Sequence, residues 1–142
     1  MTVYASADVL NNAPIAVHGE RKGVQMARAT VNCTAPPSIT DTFNFFYLPP
    51  GARVVGGYLS ATDMDANLAP SLTFNIGDTG NPSRLFQGTV VGQAGTTTTA
   101  FAPGGLDYQY PVKTLVNGTV LNNAGNGVPG SLTLSLLYVV EE

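Results

Sequence analysis

The sequence predicts an all-β protein, an antiparallel two-sheet sandwich of jelly-roll-like form with an extended N-terminal arm. Sixteen glycines and ten prolines interrupt the chain at short intervals, and these residue types mark turns between strands. Charged residues make up 11% of the chain and hydrophobic residues 44%, which excludes a disordered tail or a coiled coil. About eight short apolar or alternating segments lie between the turns, as expected for two packed antiparallel sheets.

The first residues differ in composition from the rest of the 142-residue chain. Residues 1–23 contain Asn11-Asn12, Pro14 and a dense charge cluster over residues 18–22. We therefore expect an N-terminal arm at residues 1–23 and one β-sandwich domain at residues 24–142, a length that one core can stabilise.

The first half of the domain predicts four strands, each ended by a turn or proline signal. Residues 24–33 alternate imperfectly, with Val24, Met26, Ala29 and Val31 on the apolar side. Residues 40–48 place Phe43, Phe45 and Tyr47 on the predicted core face. Residues 53–61 contain Gly56-Gly57, which indicates a bulge or a close crossing, and residues 71–76 alternate cleanly through Leu72, Phe74 and Ile76.

The second half predicts one short helix and three or four further strands. Residues 83–92 allow a helix capped by Ser83, and residues 106–112 predict a strand with Tyr108 and Tyr110 on one face. Asn117-Gly118 is a strong hairpin signal between residues 114–116 and 119–121. Residues 131–140 form a closing strand that buries Leu132, Leu134 and Leu136.

The composition offers few residues for catalysis or for binding a cofactor. Cys33 is the single cysteine and lies in an apolar segment, so we expect a buried inert thiol. His18 is the single histidine, which leaves no base beside a nucleophile and no transition-metal cluster. The six basic residues are scattered, so nucleic acid is not an expected partner. We expect no enzyme activity, no cofactor, no metal and no small-molecule substrate.

The stretch D-M-D-A-N at residues 63–67 imitates the start of a calcium-binding loop. The imitation fails because Leu68 replaces the required glycine and Phe74 replaces the bidentate glutamate. We interpret these residues as a loop whose Asp63 and Asp65 side chains cap backbone N–H groups, and a weak ion site shared with Asp78 is the alternative. Pairs drawn from these aspartates and Asp107 also leave open a small hydrolase, which nothing in the spacing favours.

No membrane or export signal is recognisable. Residues 1–17 lack a basic start and a continuous apolar run, and no segment approaches 18 apolar residues. Synthesis in a cytoplasm and no membrane partner are therefore expected.

Three segments together resemble a known protein family. These are L-P-P-G-A-R-V-V-G-G-Y-L-S-A-T-D at residues 48–63, L-T-F-N-I-G-D at residues 72–78, and R-L-F at residues 84–86. The pattern is similar to small cement or decoration proteins of tailed bacteriophage heads, over roughly residues 43 to 95 and weakly over the C-terminal strand. The resemblance implies a jelly-roll-like body, assembled as a homotrimer, that sits on the outer capsid lattice and clamps neighbouring major capsid protein subunits. It implies a virion location, no reaction and no cofactor.

The arm is the predicted capsid contact, because a flexible segment can fold across a neighbouring subunit. The alternative for the arm is a terminus without a partner. A receptor-binding or fibre-base domain at a virion surface is the alternative function. The predicted capsid-contact residues are Val3, Tyr4, Val9, Leu10, His18, Glu20, Arg21 and Lys22.

Overall fold

The computed structural model of this chain describes residues 2–6, 9 and 23–141. Ten strands and one 3-10 turn, Val91–Gln93, make up the described secondary structure. The strands are β1 Val3–Ala5, β2 Gln25–Cys33, β3 Thr42–Leu48, β4 Ala52–Ala61, β5 Thr73–Gly77, β6 Phe86–Thr89, β7 Thr97–Thr98, β8 Gln109–Tyr110, β9 Thr114–Asn122 and β10 Gly130–Val140.

The strands form two sheets packed as a jelly-roll-like sandwich, as the composition predicts. The first sheet has the order β1-β3-β9-β5-β6, and the second has the order β2-β10-β4-β7, with β8 added on β4. All pairs are antiparallel except β1 with β3, which is parallel. Within the described residues no helix is long and apolar enough to cross a membrane.

One hydrophobic core fills the space between the sheets. Phenylalanines from the first sheet meet leucines from the second, and Phe43 packs edge-on against Phe74 with ring centroids 5.6 Å apart. β10 contributes Leu132, Leu134 and Leu136, all fully buried, which confirms the alternation predicted for this strand. Burial of such side chains stabilises the fold by roughly 1.5–3 kcal/mol each.

The inward face of β2 differs from the predicted one. Ala27, Ala29, Val31 and Cys33 are buried, whereas Met26 is 60% exposed. The sequence placed Met26 among the inward residues because its apolar side chain fits the alternation. The prediction was wrong for Val24 and Met26, which are each 60% exposed, and it is confirmed for Ala29 and Val31.

The core face of β3 also changes partway along the strand. Phe43 and Phe45 are buried as predicted, but Phe46 and Leu48 are buried in place of Tyr47. The register against β9 shifts between Asn44 and Phe46, and a bulge that inserts one residue exchanges the two faces beyond it. The prediction for Tyr47 was therefore wrong, because the bulge is a property of the pairing between β3 and β9 and not of the β3 sequence alone.

The glycine pair in β4 marks both features that the sequence indicated. The register against β10 shifts between Leu137 and Tyr138, which leaves Val55 as the inserted residue. Gly57 has φ +137° and lies so close to β10 that a Cβ there would overlap the Ser135 carbonyl oxygen. The prediction of a bulge and a close crossing is confirmed.

The hairpin predicted at Asn117-Gly118 is absent, because both residues lie in the middle of the single strand β9. Asn117 pairs with Asn44 on one side and Gly77 on the other, and β9 is the central strand of the first sheet. Pairing on both edges overrides the local turn preference of this dipeptide.

The helix predicted over residues 83–92 is replaced by β6. The Leu85 N–H donates to the Ile76 carbonyl oxygen at 2.9 Å, and Phe86 pairs with Ile76. Gly88 has φ +59°, a conformation that ends a right-handed helix. The strand predicted over residues 106–112 is reduced to the two residues of β8.

Candidate protein-binding surfaces

The outer face of the first sheet carries threonine and asparagine side chains together with the exposed Val3 and Leu121, and no charged side chain in its described strands. Its central rungs place Thr42 opposite Thr119 and Asn44 opposite Asn117. Asn75 Oδ1 accepts a hydrogen bond from the Gly88 N–H at 2.8 Å, which fixes part of this face internally. Side chains of this kind are readily hydrated, so this face suits contact with solvent.

The outer face of the second sheet is apolar at one end. Met26 on β2 lies opposite Leu137 on β10, and Leu137 lies opposite Gly56 on β4. Met26 is 60% exposed and Leu137 37% exposed, and the bulge residue Val55 is exposed beside them. We call this surface the Met26 patch; it comprises Val24, Met26, Val55, Leu137 and Val139.

Arg28 lies one rung away from the Met26 patch. Arg28 and Tyr58 flank Ser135 on neighbouring strands, and Arg28 Nε donates to Tyr58 Oη at 3.3 Å. Ser135, between them, is only 2% exposed. The contact orients the guanidinium group over the sheet and leaves both terminal nitrogens of Arg28 without an acidic partner among residues 23–141.

The next rung along this face is a row of hydroxyl groups. Thr30 Oγ1 and Thr133 Oγ1 share a hydrogen bond of 2.8 Å, and Thr97 Oγ1 donates to Ser60 Oγ at 3.1 Å. The second sheet therefore presents an apolar end that is bordered by the Arg53–Glu141 ion pair beside Val139, a cation in the middle and an uncharged polar end.

The D-M-D-A-N loop folds around the carboxylate of Asp65, which is nearly fully buried. Its Oδ1 accepts the N–H groups of Asn67 and Asn126, and its Oδ2 accepts those of Ser71, Leu72 and Gly125. Burial alone would raise the pKa of the Asp65 carboxyl, but the backbone donors hold the pKa well below its usual range. The capping interpretation is confirmed for Asp65, whose two oxygens join two loops.

Asp78, the third residue of the alternative ion site, belongs to a separate cluster. Arg84 Nε donates to Asp78 Oδ2 at 2.6 Å, and the Arg84 guanidinium carbon lies 3.8 Å from the centroid of the Tyr108 ring. Burial would raise the pKa of the Asp78 carboxyl, but the bonds from Arg84 and from the Asn81 N–H hold the pKa below its usual range.

Two tyrosines complete this cluster. The rings of Tyr108 and Tyr110 meet edge to face at 4.9 Å, which confirms that they share a face. Burial raises the pKa of Tyr110 above its ordinary value, and the nearby Asp78 charge adds to the effect. The Arg84 cation and the Asp78 carboxylate neutralise each other, and together with Tyr108 they join separate loops. This arrangement is typical of a structural ion pair.

Cys33 lies in the core and is 3% exposed. Burial, followed by the charge of Asp41, raises the pKa of the thiol to about 11. The thiolate is the reactive form, so this side chain is inert at neutral pH, as predicted. No group of three or more histidine, cysteine or acidic residues in the described part of the chain could hold a metal ion.

Three of the eight predicted contact residues lie among the described residues. Val3 is 51% exposed on the edge strand β1, whereas Tyr4 is 8% exposed and stacks on Phe43 with ring centroids 5.7 Å apart. The Val9 N–H donates to Ser6 Oγ at 3.4 Å. Tyr4 thus contributes to the core instead of to an outer surface. Leu10, His18, Glu20, Arg21 and Lys22 lie outside the described residues.

Part of the segment predicted as an arm is held against the first sheet. β1 pairs with β3, and Asp41 accepts the Thr2 N–H at 3.0 Å while its other oxygen accepts the Ser38 N–H at 3.0 Å. The Ser6 hydroxyl donates to the Phe45 carbonyl oxygen. The parallel pairing was not visible in the sequence, because three residues are too few to show an alternation.

The fold has close relatives among solved bacteriophage capsids. A chain of the cyanophage Pam1 capsid asymmetric unit is 33% identical, with a TM-score of 0.78, 92% of this chain covered and 96% of that chain covered. A chain of the capsid of Ralstonia phage GP4 is 23% identical, with a TM-score of 0.84 and 99% of both chains covered. A chain of the acid-stable capsid of Helicobacter pylori bacteriophage KHP30 is 18% identical, with a TM-score of 0.61, 86% of this chain covered and 92% of that chain covered. No protein-family model matches the chain, and no curated protein sequence matches it.

Proposed function

We propose, from the premise that this chain belongs to the bacteriophage capsid-protein family of the cyanophage Pam1 chain, that it is a cement protein. The chain is a structural protein of the virion and assembles with other capsid subunits. Within that role, the proposed partner is the major capsid protein, the proposed location is the outer surface of the shell, and the proposed assembly is a homotrimer.

The observation that carries this proposal is the alignment with the Pam1 capsid chain over nearly the full length of both chains. A match of this extent includes both sheets of the sandwich, so the whole body is accounted for by a capsid protein. The resemblance of residues 48–86 to cement proteins then favours the cement role over that of a shell-forming subunit.

The distribution of charge supports a position on the outside of the shell. The chain has six basic residues and a formal net charge of −3. Two of its cations, Arg53 and Arg84, already pair with Glu141 and Asp78. A surface that faces packaged nucleic acid needs several unpaired cations to neutralise phosphates, and this chain offers few.

Many copies of the protein on a capsid lattice can bind stably even if each copy lacks a single strong binding site. A homotrimer that makes three modest contacts at once gains avidity of about 10²–10⁴ over one contact. Val3, exposed on the edge strand β1, is the described arm residue best placed to join such a contact. Val9, Leu10, His18, Glu20, Arg21 and Lys22 stay proposed contacts, whereas Tyr4 is committed to the core.

Binding to assembled shells tests the cement role. Purified protein is added to capsid shells assembled without it and, separately, to dispersed major capsid subunits. We expect saturable binding to the shells, weak binding to the subunits, and a higher disruption temperature for the decorated shells. Equal binding to both, or to neither, would contradict the proposal.

The arm and the trimer have their own tests. A variant in which residues 10–22 are replaced by a glycine-serine linker of equal length keeps β1 and the core residue Tyr4. It should retain the body fold but bind shells more weakly, with Val3→Asp as a milder version. Sedimentation equilibrium of the isolated protein should give three chain masses. Unchanged shell binding by the linker variant would exclude residues 10–22 as the contact, and a monomer at all concentrations would exclude the trimer.

A further inference from the structure

We infer that the outer face of the second sheet, from the Met26 patch to Arg28, is the surface that docks on the capsid. The segment it binds combines apolar side chains with a carboxylate. This inference rests on the proposed cement function and names the chemistry of the partner for it. It does not depend on the arm.

The apolar half of the inference comes from the composition of the Met26 patch. Large side chains from β2, β4 and β10 meet there at the outer surface, although the same strands fill the core with their other face. Contiguous exposed apolar side chains on three neighbouring strands are typical of protein interaction sites, whereas single exposed ones are ordinary. The Val55 bulge brings one more apolar side chain to this surface.

The carboxylate half comes from Arg28. Its Nε is occupied by Tyr58 Oη, and its two terminal nitrogens provide a second pair of donors. A pair of this kind binds a carboxylate through two parallel hydrogen bonds. The other described arginines, Arg53 and Arg84, have acidic partners in the fold, which leaves Arg28 as the described arginine that lacks one.

Contact between Tyr58 and Arg28 lowers the cost of this binding. A free arginine side chain loses rotamer freedom when a partner immobilises it. The hydrogen bond to Tyr58 already restricts Arg28 before a partner arrives. The guanidinium group is therefore partly ordered, one rung from Met26.

Comparison of the two outer faces supports the choice of the second sheet. The first sheet exposes mainly threonine and asparagine side chains, some of which are satisfied within the fold, as Asn75 is by the Gly88 N–H. Its exposed Val3 and Leu121 lie on β1 and β9, which are separated by β3. Such a face loses hydration on docking and offers no contiguous apolar contact on neighbouring strands in return. The second sheet gains from burial at the Met26 patch and from a charge-assisted bond at Arg28.

Binding of point variants to assembled shells, measured as a dissociation constant by cosedimentation, tests the inference. Arg28→Glu and Met26→Asp each alter the proposed face. Lys113→Glu makes the same charge change on a lysine just before β9 of the first sheet, whose ammonium group lies 4.7 Å from the centroid of the Tyr47 ring. Leu68→Asp makes a comparable polar change at a fully exposed loop residue. Thermal unfolding of each variant verifies that the body is intact.

We expect Arg28→Glu and Met26→Asp to weaken shell binding by about tenfold or more. The two controls should stay within about twofold of the wild type, a surface change of ordinary size. Added salt should weaken wild-type binding more than binding by Arg28→Gln, because only the wild type retains the ion pair.

Each failure has a separate meaning. Absence of wild-type binding to shells would overturn the cement function itself. Wild-type binding that neither Arg28→Glu nor Met26→Asp alters would overturn the assignment of this face while leaving the cement function in place. A loss caused by Met26→Asp alone would overturn the carboxylate assignment.

Discussion

The guanidinium group of Arg84 lies against the ring of Tyr108, with 3.8 Å between the guanidinium carbon and the ring centroid. The same group donates to Asp78, whose side chain is nearly fully buried. Arg84 precedes β6 and Asp78 follows β5, so the ion pair closes the loop between these two strands. Tyr108 adds the segment before β8 to the same contact.

Removal of the Arg84 charge should therefore be costly. Arg84→Met leaves the Asp78 carboxylate buried and unpaired, and we expect the free energy of unfolding to fall by about 3 kcal/mol. Arg53→Met is the matched control, since its pair with Glu141 is substantially exposed and exposed pairs contribute little. Urea unfolding of both variants measures the difference, and equal midpoints would show that the Asp78 pair is not structural.

Replacement of the Asp65 carboxylate by an amide should destabilise the fold. Asp65→Asn keeps one acceptor oxygen but directs an NH2 group at backbone N–H donors that now need an acceptor. We expect the melting temperature to fall by about 10 °C, since several buried donors lose their partner together.

Asp63→Asn is the matched control for this change. Asp63 is exposed and accepts one N–H, that of Asp65. Calorimetry on both variants should show a large shift for Asp65→Asn and a small one for Asp63→Asn. Comparable shifts would mean that the five bonds at Asp65 are not what holds the two loops.

Acid should destabilise the domain below the ordinary aspartate range. The pKa values of Asp65 and Asp78 are lowered in the folded state, while the unfolded value is about 3.9. Their contribution to stability is therefore fully present above about pH 4–5 and is lost as the pH falls towards the folded values. Melting temperatures measured from pH 7 to pH 2 should be level at first and then decline. Asp78→Asn should decline less steeply, and an identical decline would exclude Asp78 as a source.

The two adjacent glycines in β4 should differ in their tolerance of the same substitution. A Cβ at Gly57 meets β10 backbone, including Leu136 Cα at 2.9 Å, and the residue has φ +137°. A Cβ at Gly56 meets only Leu137 Cδ1 at 3.6 Å, an ordinary contact. We expect Gly57→Ala to lower the free energy of unfolding by about 2 kcal/mol or more, and Gly56→Ala to change it little. Chemical denaturation checks both, and a tolerated alanine at residue 57 would contradict the close crossing.

The sequence predicts which side chains are buried when the alternation within one strand determines it. It predicts them poorly when the pairing of two strands determines it. Leu132, Leu134 and Leu136 alternate without interruption, so their burial is readable from the period alone. The exchange of Tyr47 for Phe46 depends on a bulge against β9, which is a property of the pair. Asn117-Gly118 has the composition of a turn, but Gly118 is needed in a strand because a Cβ would meet Ile76 Cδ1 at 2.7 Å.

The candidate docking face was missed for a related reason. Met26 looked like a core residue because it is large and apolar. Strict alternation backwards from the inward Ala29 and Val31 would have placed Ala27 inward and Met26 outward. The proximity of Arg28 and Tyr58 depends on β10 lying between β2 and β4, an order that no local pattern encodes.

The position of β10 constrains when this protein can fold. β10 lies between β2 and β4 and bonds to both, with Cys33 of β2 opposite Gly130 at its start. During translation β2 and β4 leave the ribosome before β10. The two strands do not pair with each other, so they are joined only when β10 is available. The second sheet is therefore incomplete until β10 has joined, and a chain without β10 leaves the edges of β2 and β4 that β10 covers open to pairing with other chains.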